Sequence, residues 1–227
     1  NNFIAGLLTG SNLETGNSNV FIGQAAGEQM ILGNSNTFIG LNSGKNMISD
    51  TNTAIGNSSL RGDSIALNNT GANNTALGRR SLFNLTSGER NSTVGDQSGL
   101  SLTTGSFNTL LGTLSDGSTF DYTIGLGYKA TPIDNNQMLI GSTVISEGID
   151  EILPAITENT DLGSSNFKFK NLFISDNLQT GDVVINMSTP PTIGQVLKAT
   201  STTAASWQNE SGGGTQNLSL GTTTVTT

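Results

Sequence analysis

Residues 19–40 read NVFIGQAAGEQMILGNSNTFIG and carry the same five-residue pattern at both ends. In this pattern an asparagine precedes a small or β-branched residue, two mostly apolar residues and a glycine. Clear copies end at Gly23, Gly40, Gly56, Gly78, Gly95 and Gly112, and weaker copies end at Gly6, Gly125 and Gly141. The copies are mostly 17 residues apart, and one interval, between Gly56 and Gly78, lengthens to 22. Self-similarity at a fixed period is the signature of a repeat architecture.

The remainder of each period is patterned as well. A small residue lies three positions after the glycine, an apolar residue usually lies seven positions after it, and a second glycine often lies ten positions after it. This order predicts one coil per period, with a short strand, a corner, a second apolar segment and a second corner. Stacked coils pair their strands in parallel about 4.8 Å apart, so nine coils would form a rod about 40 Å long. The predicted fold class is therefore all-β, a repetitive parallel β-roll or β-helix.

Both faces of the predicted strands are apolar. We expect the residue directly before each glycine to point into the coil, and this set comprises Ile22, Ile39, Ile55, Leu77, Val94, Leu111, Ile124 and Ile140. The residue before it faces the opposite way, and this second set includes Phe21, Phe38, Ala54, Ala76 and Leu110. A strand that is apolar on both faces is buried on both faces. Because a single coil has one interior, we expect neighbouring chains to cover the second face, in an intertwined parallel homotrimer.

The asparagine that opens each copy of the pattern recurs at one position of the coil. These residues are Asn19, Asn36, Asn52, Asn74, Asn91 and Asn108. Stacked amides can hydrogen-bond along the axis of a β array, so we predict an asparagine ladder; the alternative is that asparagine and glycine only mark turns. The longer interval contains Arg61-Gly62-Asp63. We interpret this triplet as a chance occurrence in a glycine-rich loop, with an integrin ligand as the alternative.

The composition excludes several classes of function. Only 33% of the 227 residues are hydrophobic, which is too few for a compact globular core of this length. The chain has no cysteine and no histidine, so thiolate and imidazole chemistry are absent, and we predict no cofactor and no metal. The net charge of −8 opposes binding to nucleic acid. No apolar run approaches the length of a membrane span, so we predict no membrane insertion.

The residues that could take part in catalysis are poorly arranged for it. Asp150 and Glu151 are adjacent and would point to opposite faces of a strand, which is a poor geometry for two carboxylates that flank one bond. The glycines at 125 and 127 match a Gly-x-Gly pattern, but no helix is predicted to receive a phosphate there. Residues 134–136 lack EF-hand spacing, so we interpret them as a turn. The chain is predicted not to be an enzyme, with a glycan-cleaving site built across chains as the alternative.

The organisation changes after the repeats. The predicted divisions are a repeat shaft or head at 1–144, a transition segment at 145–160, a β segment at 161–188, a small β-module at 189–211, and a linker with the start of a further β segment at 212–227. Trp207, the one tryptophan, is expected to anchor the small module. The chain opens inside the repeat and without an initiator methionine, so we expect it to be part of a longer polypeptide.

The repeats resemble the head repeats of YadA-like trimeric adhesins, in the form found in bacteriophage tail-fibre proteins. Residues 52–56 (NTAIG) and 74–78 (NTALG) are the most similar to that motif, although the period here is longer than in the adhesins. Residues 161–175 are similar to a segment that recurs in phage tail fibres and tail spikes, and residues 192–208 are similar to another small module of such fibres. The resemblance implies a parallel β-roll in a trimer and a role in attachment.

These observations lead to a functional expectation. We expect a structural and adhesive trimeric fibre of a phage tail or similar virion appendage, which positions or forms a receptor-binding surface and gains strength from avidity. The expected partners are further copies of the chain, other virion or fibre proteins and a host surface receptor, for which a glycan is one candidate. The expected location is the virion. A trimeric adhesin on a bacterial cell surface is the alternative, and a glycan-degrading tail spike is a third hypothesis.

Overall fold

A computed structural model of the chain describes residues 1–142, 177–180, 183–186, 195–199 and 204–209. The described residues are all-β, with one short 3₁₀ turn and no α-helix. The chain divides into two units, Asn1–Leu153 and Pro154–Thr227. The first unit is a β-solenoid with a period of about 17 residues, in agreement with the repeat spacing.

The solenoid has one strand per coil, and each strand has three residues. The strands are β1 (Phe3–Ala5), β2 (Val20–Ile22), β3 (Thr37–Ile39), β4 (Thr53–Ile55), β5 (Thr75–Leu77), β6 (Ser92–Val94), β7 (Thr109–Leu111), β8 (Ile124–Leu126) and β9 (Met138–Ile140). They form a nine-stranded sheet in chain order. Every neighbouring pair is parallel and in register, so equivalent residues of successive coils stack in columns along the axis.

The middle residue of each strand points into the coil, which reverses the predicted faces. Phe21 and Phe38 are fully buried within a single chain, and their rings stack with centroids 5.2 Å apart. Ala54, Ala76 and Leu110 are buried at the same position in later coils. The prediction that Ile22, Ile39, Ile55, Leu77, Val94, Leu111 and Ile140 fill the coil interior is wrong, since the structure places them on the outer face. The physical reason is that the interior closes around the middle of a three-residue strand, whose flanking residues must then point outward.

Two columns of the interior compensate each other in size. We call the glycine that ends each copy of the pattern the corner glycine. In the second and third coils a phenylalanine of the strand faces a second glycine four positions after the corner glycine, as Phe38 faces Gly44. A Cβ added at Gly44 would overlap the Phe38 ring. In the fourth coil the equivalent residues are Ala54 and Leu60, both fully buried. Because a large side chain in one column meets a small one in the other, the coil keeps a nearly constant cross-section.

The other interior columns follow the predicted pattern. The apolar residues seven positions after the corner glycine, Met30, Met47, Leu85 and Leu102, are fully buried. The small residues three positions after the glycine are buried too. Most of their hydroxyls donate to strand carbonyls of the next coil, whereas the Ser81 hydroxyl pairs with that of Thr93 at 2.6 Å. The hydroxyl of Ser43 donates to the carbonyl of Ala54 at 2.8 Å, and Ser59 donates to Ala76 at the same distance. Packing in the interior therefore combines aliphatic contacts with a column of hydrogen bonds.

The corner glycines are required because consecutive coils touch there. Gly23 has a φ of +122°, and a Cβ at this position would lie 2.7 Å from the carbonyl oxygen of Gly40. The eighth coil corrects the predicted register. Gly125 pairs with Leu110 and occupies the inward position, and Gly127, with a φ of +117°, forms the corner. Ile124 is therefore the first residue of its strand and is not the residue before the corner.

The extra residues between Gly56 and Gly78 form a loop closed by a buried asparagine. A 3₁₀ turn, η1 (Ala66–Asn68), ends beside Asn69, which is fully buried. The Asn69 amide donates to the carbonyl of Asn46 at 3.1 Å and to that of Asp63 at 3.0 Å, and its oxygen accepts from the Asp63 N–H at 2.9 Å. The Arg61-Gly62-Asp63 triplet is thus part of the loop's internal hydrogen bonding.

The second unit contains a separate four-stranded sheet. Its strands are β10 (Asn177–Thr180), β11 (Val183–Asn186), β12 (Gln195–Ala199) and β13 (Ala204–Asn209). Their order in the sheet is β10-β11-β13-β12, with β11 and β13 parallel and the other two pairs antiparallel. Trp207 lies in β13 opposite Leu197. The predicted transition at 145–160, the first part of the predicted β segment (161–176) and the predicted linker at 212–227 lie outside the described residues.

Candidate interaction surface

The outer face of the solenoid sheet carries a continuous line of aliphatic side chains. This outer stripe consists of the last strand residue of eight successive coils: Ile22, Ile39, Ile55, Leu77, Val94, Leu111, Leu126 and Ile140. Ile55, Val94, Leu111 and Ile140 are each about 40% exposed in the single chain. The parallel register places all eight in one column along the axis. An unbroken apolar column on an outer surface is typical of an interaction site.

The column beside the outer stripe is polar over most of its length. The first residue of each strand also points outward, and in the central coils it is Thr37, Thr53, Thr75, Ser92 and Thr109. These residues are half-buried or exposed. At the two ends of the sheet the position becomes apolar, with Phe3 at one end and Met138 at the other. The outer face of the sheet therefore carries one column of aliphatic residues and, beside it, one column of mostly hydroxyl-bearing residues.

The six predicted asparagines form a hydrogen-bonded column inside the corner that precedes each strand. Each is buried, and its side-chain oxygen accepts from both the backbone N–H and the side-chain amide of its successor in most steps. For Asn36 and Asn19 these distances are 2.9 and 3.2 Å. The other steps join Asn52, Asn74, Asn91 and Asn108, and Thr123 ends the column by donating to Asn108 at 2.8 Å. We call this column the asparagine ladder.

The asparagine ladder also closes the second corner of each coil. The Asn74 amide donates to the carbonyl of Gly88 at 2.9 Å, and the Asn91 amide donates to that of Gly105 at the same distance. Each buried amide thereby satisfies backbone groups of two coils. Unpaired buried backbone groups are costly, so the ladder fixes the spacing of the coils and the direction of each strand. It is a structural element of the interior and is not accessible to a ligand.

Two aromatic rings and a charged pair lie on the surface and are not part of the outer stripe. Phe107 and Tyr122 stack at successive coils with ring centroids 4.8 Å apart, and both are substantially exposed. The Arg79 guanidinium donates to the Asp96 carboxylate at 2.8 Å and thereby lowers the pKa of Asp96 below its ordinary value. Both side chains of this ion pair are more than a third exposed, so solvent screens their attraction.

The remaining residues singled out from the sequence have structural roles where they are described. The Asp134 carboxylate accepts from the N–H of Asn135 at 2.8 Å, and the Asn135 side chain accepts from the N–H of Asp121 at 2.8 Å. The segment 134–136 is therefore a turn that joins two coils. Within the described ranges, no group of three or more acidic side chains is placed to hold a metal ion. Asp150 and Glu151 lie outside these ranges.

Comparison with known proteins identifies no relative of this chain. Across the described part of the chain, no helix is long and apolar enough to cross a membrane. No family model matches the sequence, and neither the curated proteins nor the solved structures contain a significant match.

Proposed function

We propose that the protein is the repeat region of a trimeric attachment fibre, in which three parallel chains bury their outer stripes against one another. The observation that carries this proposal is the outer stripe itself. A column of half-exposed Ile, Leu and Val side chains runs the length of the described solenoid, and water contact with it is unfavourable. Burial between identical chains removes the whole column from water at once.

Cyclic symmetry is the arrangement that suits such a column. Every chain presents the same stripe parallel to the solenoid axis, so rotation about a parallel axis brings identical residues together along the full length. A parallel arrangement keeps each coil level with its equivalents. We choose three chains because the sequence pattern resembles trimeric fibre repeats.

The solenoid has properties that suit a fibre. Nine stacked strands at about 4.8 Å give a rod of about 40 Å, and the backbone pairing that builds it is extended by simple addition of coils. Three chains would present every surface feature three times, and weak contacts to a host surface would then act together. The proposed location is a phage tail or a similar virion appendage, and the proposed role is mechanical and adhesive, without catalysis.

Light scattering of the purified chain tests the assembly. The proposal predicts three times the chain mass of 23.4 kDa. Ile55→Asp should reduce the trimer fraction, because three buried and unpaired carboxylates would meet near the axis at a cost of several kcal/mol. Leu67→Asp is the matched control, since Leu67 is 78% exposed on the inserted loop and away from the outer stripe. A monomeric parent protein, or equal effects of the two substitutions, would refute the proposal.

A further inference from the structure

The arginines of the chain are concentrated in one part of the solenoid. All four, Arg61, Arg79, Arg80 and Arg90, lie within 30 residues of one another. Arg79 pairs with Asp96 at 2.8 Å, and Arg90 pairs with its neighbour Glu89 at 3.1 Å. Within residues 1–142, neither Arg61 nor Arg80 has a carboxylate within salt-bridge distance. Neither cation therefore forms a salt bridge in that part of the chain, although Arg80 lies close enough to Asp96 to help lower the pKa of that carboxyl.

A single aromatic ring brings these two arginines together. Arg61 and Phe83 occupy the same position of successive coils, five residues after Gly56 and Gly78. The guanidinium carbon of Arg61 lies 5.3 Å from the centroid of the Phe83 ring, and that of Arg80 lies 4.6 Å from it. Both contacts are within the range of a cation–π interaction. We call Arg61, Arg80 and Phe83 the arginine cluster.

The arginine cluster is anchored by a backbone hydrogen bond, but part of its hydrogen-bonding capacity is unused. The backbone N–H of Arg80 donates to the carbonyl of Asn57 at 2.9 Å, which fixes the base of the side chain. The Nε of Arg80 is buried and has no hydrogen-bond partner in the described residues. Both guanidinium groups contact one ring, so they lie within about 10 Å of each other, which is the Debye length at ~0.1 M salt. At such a separation their charges repel, and an anion that contacts both guanidinium groups would relieve the repulsion.

The surroundings favour a small charged group on a polar ligand. The chain as a whole has a net charge of −8, which repels long polyanions such as nucleic acid. Two exposed amides adjoin the arginine cluster, Asn57 beside Arg80 and Asn84 beside Phe83. The Asp96 carboxylate, which also interacts with Arg80, is already paired with Arg79 at 2.8 Å. Guanidinium groups bind carboxylate and sulfate through two parallel hydrogen bonds, and amides hydrogen-bond to sugar hydroxyls.

We infer that the arginine cluster is a binding site for an acidic saccharide, with Arg61 and Arg80 holding its carboxylate or sulfate group. The site is formed by residues of one chain and does not require a trimer. Only its role as a receptor site rests on the proposed attachment function. In a trimer it would occur three times. Affinity should fall as ionic strength rises, because salt screens the interaction of exposed charges.

Titration calorimetry with defined oligosaccharides tests the site. The probes are sialyllactose and trigalacturonate, which carry carboxylates, a sulfated disaccharide, and lactose as the neutral control. Binding of a charged probe without binding of lactose supports the inference, and the two charged classes identify which anion is preferred. If no charged probe binds at millimolar concentration, the inference is wrong.

Substitutions locate the binding. Arg61→Gln and Arg80→Gln should each lower the affinity about tenfold or more, because a hydrogen-bonded charge pair is lost. Arg80→Lys keeps the charge but loses the two-pronged geometry, so it should lose affinity while retaining the fold. Arg90→Gln is the matched control, since Arg90 already has a carboxylate partner. An equal loss in Arg90→Gln, or no loss in the Arg61 and Arg80 variants, would overturn the assignment.

The same samples separate this inference from the proposed function. Light scattering reports the number of chains, and calorimetry reports the anion site. A trimer that binds no acidic saccharide would refute the site alone. A monomer that binds it through Arg61 and Arg80 would refute the trimer and leave the site in place.

Discussion

Exchanging the sizes of two interior residues tests how the coil is packed. Phe38 is fully buried and faces Gly44, whereas the next coil has Ala54 and Leu60 in the same two positions. Phe38→Ala alone should lower the free energy of unfolding by about 3–5 kcal/mol, because it leaves a cavity. Gly44→Leu alone should cost about 2–5 kcal/mol, of which about 1–3 comes from overpacking and about 1–2 from placing a side chain in a left-handed conformation.

The double variant should be more stable than these costs imply. Phe38→Ala with Gly44→Leu recreates the pair that the next coil already uses. Leucine can adopt the left-handed backbone conformation that this position requires, since Leu60 and Leu82 have φ values of +46° and +50° at the equivalent positions. The remaining cost should be about 1–2 kcal/mol, for placing a side chain in a left-handed conformation. The two substitutions are thus expected to be strongly coupled.

Urea unfolding of the parent, both single variants and the double variant, at one chain concentration, measures this coupling. Recovery of most of the lost stability in the double variant supports compensation between the two columns. If the costs of the single substitutions simply add, the two side chains do not share one space, and the interior packing described above is incorrect.

Two further predictions concern hydrogen bonds. Asn52→Ala removes the acceptor for the N–H and the amide of Asn74, at 2.9 and 3.2 Å, and should lower the free energy of unfolding by about 2–5 kcal/mol, since buried donors lose their partner. Asn12→Ala, at an exposed site, should change it little; similar losses in both would argue against the asparagine ladder. Arg79→Gln should raise the pKa of Asp96 toward its ordinary value, as followed by NMR titration. The small stabilisation from this pair is present at neutral pH and is lost as pH falls through the lowered pKa, so an unchanged titration of Asp96 would contradict the ion pair.

The sequence contained enough information to predict the solenoid but not the direction of its faces. Repetition of an asparagine, a strand and a glycine set the period and the strand positions, because equivalent residues must stack in a repeat structure. The alternation of side chains along each strand could not show which strand face lies in the interior, since both faces are apolar. The missed signal was size: the residue equivalent to Phe38 changes to alanine at Ala54, while the position of Gly44 changes to leucine at Leu60. Such opposite changes are expected only inside a closed space.

Two other features depended on the exact register. At 125–127 the sequence has two glycines, and only the pairing of β8 with β7 shows that Gly127 forms the corner. The arginine cluster was not predicted because Arg61 and Phe83 are 22 residues apart. Both residues lie five positions after a corner glycine, so the repeat alone could have placed them side by side. That conclusion requires that the inserted loop between Gly56 and Gly78 does not disturb the stacking of the two coils.

Cross-linking through a single introduced cysteine tests most directly whether the outer stripes of three chains meet. The chain has no cysteine of its own, so Val94→Cys gives one reactive position on the outer stripe. With a trifunctional maleimide we expect a product containing three chains. Leu67→Cys, at a site nearly twice as exposed, should remain uncross-linked. Products of one chain only from Val94→Cys, or equal cross-linking at both sites, would contradict burial of the outer stripe between parallel chains.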